Sequence, residues 1–403
     1  MRFRATYYAL ALAGLIAASG TAQAEALRPA IGKPLATAKS FYEQHNFAKA
    51  MAAVKAADAV PGKTASEQLV IEQMRAAIAN ASGDNATAVH AYTFLLGSGA
   101  IAEVEKMNLI QALAGIEYRQ KNYPAAASWA AKYFAAGGRS NDVLTLQIQS
   151  YYLGGQYAEA ARVQASQINA EIRGGRAPSE DHLQLLYSCQ KHLNDAAGAF
   201  GTIRQLVTYY PKPDYWANVI SAVASKPTFN DRLQFDLLRF EFAIGLVNTP
   251  KDAMELAELA LQDKLGGEAK EIVDLSYKGG LLGTGPEAPR EQRLRDLITR
   301  SIATEQAGMG KDDADAATDH DGNRLEALGE QYVSFANFAK GIPMIQAAIR
   351  KDDLRHAEDA KLHLAIALLK SGDKRGAAAE FRAVKGTDGT ADLASLWLLH
   401  IGK

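Results

Sequence analysis

A short helical phrase recurs along this chain at an interval near 34 residues, and no other feature limits the possible folds so strongly. Residues 122 to 130 read NYPAAASWA and residues 156 to 164 read QYAEAARVQ, so that Tyr123 pairs with Tyr157, Ala126 with Ala160, Ala127 with Ala161 and Tyr118 with Tyr152, each 34 apart. From Tyr123 the offsets to Ala126, Ala127, Ala130 and Phe134 are 3, 4, 7 and 11, which is one face of a helix and not the alternation of a strand. Carrying the first small residue of the phrase along the chain gives Ala50, Ala88, Ala126, Ala160, Ala199, Leu233, Ala269, Gly341 and Ala377 as anchors. The steps run from 34 to 39 residues except one of 72, which leaves room for a degenerate unit, so ten helical pairs are expected.

A second series supports this phase. Twelve residues before each anchor stand Ala38, Ala76, Ala114, Ile148, Tyr187, Ser221, Ala257, Gly329 and Ala365, small in seven of nine. Two helices of a hairpin approach closely only where both lack bulk at the crossing. Gly83-Asp84, Gly154-Gly155 and Gly372-Asp373 fall between the two series, where a turn would end one helix and cap the next.

A helical hairpin of about 34 residues with a small residue in each helix, an aromatic after the turn and an occasional closing proline resembles the tetratricopeptide repeat (TPR) family. The strongest matches are residues 107 to 176, then LNDAAGAFGTIRQLVTYYP ending at Pro211, then LLKSGDKRGAAAEFRAV near the C-terminus. The resemblance implies an all-α fold, an α-solenoid or superhelix of about ten TPR-like hairpins whose concave face holds a protein or peptide partner. Residues 25–212 form the N-terminal repeats on this reading, 213–285 the central repeats and 323–403 the C-terminal repeats. Gly341 and Leu233 depart from the usual alanine, and residues 286–322 fit so poorly that they read as a degenerate unit or acidic linker.

Arg2 and Arg4, the apolar run YYALALAGLIAAS and the small residues Ala22 and Ala24 have the order of a cleavable signal peptide over residues 1–24, with Glu25 as the first mature residue. The run is short for a membrane span, so the mature chain is expected to be exported without a stable anchor, and to be periplasmic in a Gram-negative source. Formal charge is only −1 for the whole chain, and a near-neutral chain lacks the dense basic face that nucleic acid demands. Cys189 is the single cysteine, so internal disulfides play no part and Cys189 reads as a buried small residue.

Motifs for chemistry are sparse. Ser371-Gly-Asp-Lys374 has the S-x-x-K spacing of a serine nucleophile with a lysine base, yet it occupies the turn that Ser82-Gly83-Asp84 occupies earlier. Gly97-Ser98-Gly99 lacks the spacing of a nucleophile elbow, and Gly308-Met309-Gly310-Lys311 lacks a full phosphate loop. No enzymatic activity and no cofactor are therefore expected, with an envelope enzyme or enzyme-accessory protein as the alternative. A calcium-binding protein is the second alternative: Asp319, Asp321 and Gly322 echo the middle of a calcium loop, but Ala317 and Leu328 stand where its first and last ligands belong. His356 and His363, seven apart, read as surface or interface residues.

The leading expectation is an adaptor in the cell envelope that binds an extended peptide or protein. Fifteen residues before successive anchors lie Gln73, Gln111, Thr145, Gln184 and Asn218. Family geometry puts these on the first helix of each hairpin, facing the groove, with Tyr118 and Tyr152 seven residues further on. Amides donate and accept together, which suits a peptide backbone. Relatives that clamp a terminal carboxylate place Lys and Arg on this face, and here it is nearly free of them.

Overall fold

The computed structural model describes residues 27–318 and 321–402. The expected signal peptide with Ala24 and Glu25, and also Asp319, lie outside the described residues. Among the described residues there are twenty α-helices and no strand. They form two compact units that divide between Ala170 and Glu171.

The first unit contains α1 (Pro29–Glu43), α2 (Phe47–Asp58), α3 (Ala65–Ser82), α4 (Asn85–Gly97), α5 (Glu103–Arg119), α6 (Tyr123–Ala135), α7 (Asn141–Leu153) and most of α8 (Tyr157–Arg173). The second contains α9 (Glu180–His192), α10 (Ala196–Tyr209), α11 (Pro213–Ala224), α12 (Gln234–Ala243), α13 (Pro250–Gln262), α14 (Gly266–Lys278), α15 (Ala288–Thr318), α16 (Gly322–Ser334), α17 (Phe338–Lys351), α18 (Ala357–Lys370), α19 (Lys374–Ala383) and α20 (Thr390–Ile401).

One turn closes eight pairs of these helices. Five residues before eight of the nine anchors stand His45, Gly83, Lys121, Gly155, Asn194, Lys264, Ala336 and Gly372, all left-handed with φ between 55° and 95°. The next residue's N–H then donates to the carbonyl five positions back, as Asn46 does to Phe41 and Asp373 to Leu368, at 2.8 or 2.9 Å in all eight. This is the Schellman arrangement, which satisfies a carbonyl left open at the end of the first helix. In four pairs the same residue, Asn46, Asp84, Asp195 or Asp373, caps the second helix by accepting from the N–H three residues on.

The small residues sit where the pattern requires them. Ala50, Ala126, Ala160, Ala269 and Ala377 are fully buried, as are Ala38, Ala114, Ala257 and Ala365 in the facing helices. Gly341 has a local cause: a Cβ there would lie 2.5 Å from the Gly329 carbonyl oxygen, and one on Gly329 would lie 2.7 Å from Ile345. The α16 and α17 backbones therefore touch where even alanine would intrude. At Tyr187 and Ser221 the register is shifted, since Tyr187 is half-buried and Ser221 exposed while Leu186 and Ile220, one residue earlier, are buried.

Leu233 differs from the other anchors. It is buried in a 3-10 turn, Asp231–Leu233, between α11 and α12, with no left-handed residue five places before it. The stretch that fits the repeat least is mainly α15, a single helix of 31 residues, about 46 Å long, packed along α13, α14 and α16. Glu305 on α15 accepts the Gly266 N–H at 3.0 Å, which completes the N-terminus of α14.

The second unit is not a simple run of neighbours. Helix α20 returns to pack on α10, α11, α12, α18 and α19. Trp397 of α20 stacks on Phe381 of α19 at 5.8 Å and meets Phe240 of α12 edge-on at 5.1 Å, and Phe240 in turn meets Trp216 of α11 at 5.4 Å. Around these rings Arg232 donates to both Asp359 oxygens at 2.8 and 2.9 Å and to Asp388 at 2.5 Å, while Lys226 pairs with Asp392 at 2.7 Å. Trp216, Phe240, Phe381 and Trp397 are all buried, and the charge-assisted hydrogen bonds around them fix the register of the rings.

Candidate functional site

In the first unit, α1 touches α3 and α5 touches α7, whereas no two second helices of neighbouring hairpins pack to the same extent. The first helices thus lie on the inner side of the stack, and the residues of their exposed faces line that side. Gln73 on α3 and Gln111 on α5 are half-buried there, and neither amide is hydrogen-bonded to a described residue. Thr145 on α7 is also half-buried, but its hydroxyl donates to its own helix at the Asn141 carbonyl, 3.0 Å away. Tyr118 donates its hydroxyl to Gln149 Oε1 of α7 at 2.9 Å and meets Tyr123 edge-on at 5.8 Å. Burial raises the Tyr118 phenol above its ordinary pKa. Tyr152 makes the equivalent ring contact with Tyr157 at 5.5 Å. Each tyrosine is therefore half core and half surface, with the Tyr118 to Gln149 bond tying α5 to α7 across the inner face.

In the second unit the corresponding amides are placed differently. Gln184 is exposed and its amide donates to the Tyr215 hydroxyl, which itself donates to Glu180. Asn218 is exposed and donates to the Asp214 carbonyl of its own helix at 2.7 Å. The shifted register at Tyr187 and Ser221 moves both side chains off the half-buried position that Gln73 and Gln111 hold. Five equivalent rungs are thus reduced to two unspent amides, both in the first unit.

The motifs considered for other chemistry are occupied by structural work. The Ser371 hydroxyl donates to the Leu368 carbonyl at 2.7 Å at the end of α18. Gly308 to Lys311 lie within α15, where no phosphate loop can form. Asp321 is the N-cap of α16 and accepts from the Asn323 N–H at 2.8 Å, so Gly322 opens a helix and does not bend a calcium loop. Cys189 is fully buried, which pushes its thiol up to about 11. No described helix is long and apolar enough to cross a membrane.

Of the two readings, surface or interface, His363 takes the second, at a helix interface. It lies on α18 among the carboxylates of Glu326 and Glu330 on α16 and Asp236 on α12, with its side chain only 16% exposed. Arg239 donates to Glu268 at 2.8 and 2.9 Å and to Asp236 at 3.1 Å, and Lys370 reaches Glu268 at 3.2 Å. Burial raises the Glu330 carboxyl to about 7 against the opposing pull of His363. Burial alone would lower His363, but Glu330 and Asp236 hold it well above its ordinary value. Sequence offered one weak signal for this cluster, the spacing of Glu326 and Glu330 one turn apart, and none that brings α12 beside it.

No protein-family model matches the chain, and no curated protein matches it. Among solved structures it is similar to Naa15/Naa10 bound to HypK-THB, with a TM-score of 0.31, 14% identity and coverage of 90% of this chain and 60% of that one. It is also similar to yeast Tom70, at 0.26 and 12%, covering 92% and 95%, and to the TPR2AB domain of yeast Sti1 in complex with pHSP90, at 0.24 and 11%, covering 74% and 99%. The chain spans 60% of the length of the first of these. The chain's described residues form an all-α array of TPR-like hairpins, eight of them closed by one repeated turn.

Proposed function

We propose that this chain is an exported protein-interaction scaffold, not an enzyme, which holds an extended segment of a protein partner along the first-helix face of its N-terminal unit, in the cell envelope. The observation that carries the reading is the pair of half-buried, unspent amides, Gln73 and Gln111, on successive first helices. Both amides reach solvent and are free to pair, and each can donate to and accept from a peptide backbone at once. Neighbouring helices pack at about 10 Å and an extended chain rises about 3.3 Å per residue, so the two amides would meet the partner about three residues apart. Export rests on the order of charge, apolar run and small residues in residues 1–24.

A photo-crosslinking amino acid at position 111, with a control at exposed Arg162, identifies the partner in the native envelope. Gln73→Ala combined with Gln111→Ala is expected to weaken the corresponding peptide about tenfold, at about 1 kcal/mol for each neutral hydrogen bond, and affinity should change little with moderate salt. Equal crosslinking from both positions, or a double variant that binds as the parent does, overturns the assignment of this face. An intact mass of the exported chain that still includes Met1 or Arg2 overturns the removal of residues 1–24.

A further inference from the structure

The imidazole of His363 faces acceptors on both sides. Its Nε2 lies 3.2 Å from Asp236 Oδ2, and its Nδ1 lies 2.9 Å from Glu326 Oε1 and 3.2 Å from Glu330 Oε1. A neutral imidazole carries one N–H. Asp236 is held in place by Arg239 at 3.1 Å, so a proton on Nε2 completes that contact. The Nδ1 side of the ring faces two carboxylate oxygens, so a positive charge belongs there: the second proton of an imidazolium or, in its place, a metal ion.

Four carboxylates, Asp236, Glu268, Glu326 and Glu330, surround the cluster, and Arg239, Lys370 and His363 are the basic groups paired with them, Arg239 standing 3.6 Å from Glu330 Oε1. A divalent ion in place of the Nδ1 proton keeps positive charge between the same carboxylates. The geometry fits such an ion. One ligand atom from each of Glu326, Glu330 and His363 lies within 4.8 Å of the others, and the two carboxylates stand one turn apart on α16. An ion about 2.1 Å from each of its nitrogen and oxygen ligands in a tetrahedral array separates them by about 3.4 Å, close to the 2.9 and 3.2 Å found. The side chains are 15 to 18% exposed, which leaves a way in.

We propose that Glu326, Glu330 and His363 Nδ1 bind a divalent transition-metal ion of the zinc class, with Asp236 orienting the imidazole through Nε2. One imidazole and two carboxylates make a ligand set suited to zinc, and three protein ligands leave a further position open. A carboxylate behind the ligating imidazole is the common second partner of such sites. The site uses none of the residues assigned to peptide binding.

The full chain, stripped with chelator, is titrated with Zn²⁺ by calorimetry at pH 7.5 and with Co²⁺ followed by visible absorption. One ion per chain is expected to bind at micromolar concentration or tighter, with Co²⁺ bands of a nitrogen and oxygen site and a higher melting temperature. His363→Gln should weaken binding at least a hundredfold, and Asp236→Asn, which keeps all three ligands, by about tenfold to a hundredfold. Where circular dichroism shows His363→Gln to be unfolded, Glu326→Gln and Glu330→Gln take its place. No binding at 100 µM Zn²⁺ overturns the proposal and leaves Nδ1 protonated in a purely ionic cluster. Binding that survives these substitutions overturns it equally, by placing the ion elsewhere.

Discussion

Gly341 shows how closely a single position can be specified. Eight other anchors tolerate a Cβ, but here it would lie 2.5 Å from the Gly329 oxygen and 2.8 Å from a Val333 methyl. Gly341→Ala is therefore expected to destabilise the fold by about 1 to 3 kcal/mol, through forced separation of two backbones. A urea midpoint equal to that of the parent would show that α16 and α17 separate without penalty. In sequence Gly341 is visible only as a departure from alanine, because the repeat reports that a small residue is needed and not how small. Gln73 and Gln184 make the same point for the candidate face. Both fall on one sequence offset, yet one is half-buried without a partner and the other is exposed and bonded to Tyr215.

At the scale of the element, the repeated turn explains why hairpins form where glycine is missing. Gly83, Gly155 and Gly372 announce the left-handed residue, but His45, Lys121, Asn194, Lys264 and Ala336 occupy the same place at φ near 60°. Those five turns were not legible from turn composition, since a side chain there costs about 1 to 2 kcal/mol and only the packing of buried anchors such as Ala50 and Ala126 outweighs it. The cost is recoverable. Ala336→Gly is expected to stabilise the fold by about 0.5 to 1 kcal/mol, the relief of the left-handed strain less the added freedom of the unfolded chain. Chemical denaturation with an unchanged or lower midpoint would mean that the Ala336 methyl packs more favourably than its backbone is strained. Glycine alone does not make the turn either, since α15 runs unbroken through Gly308 and Gly310.

At the scale of the whole molecule, a repeat pattern reports neighbours in sequence, because each hairpin chiefly contacts the next. It is silent about the return of α20, which depends on pairs such as Arg232 with Asp388 and Lys226 with Asp392, 156 and 166 residues apart. The cluster around His363 was illegible for the same reason, since Asp236 and His363 are 127 residues apart. Asp388 lets this closure be tested by acid. Burial would raise its carboxyl, but donors from Arg232 and Thr390 outweigh that and bring it to about 2. An unfolded aspartate titrates near about 3.9, so the native state binds the proton more weakly and gains stability wherever the carboxylate is ionised. That gain is fully present above about pH 4 and is lost as pH falls toward about 2. Because Asp388 is 38% exposed, solvent screening keeps the gain below about 1 kcal/mol. Asp388→Asn should therefore unfold at lower urea than the parent at pH 6, and the two midpoints should converge by pH 2. A gap that persists at pH 2 would mean that the amide disturbs the packing of the loop before α20 and that the charge of Asp388 contributes nothing to the closure.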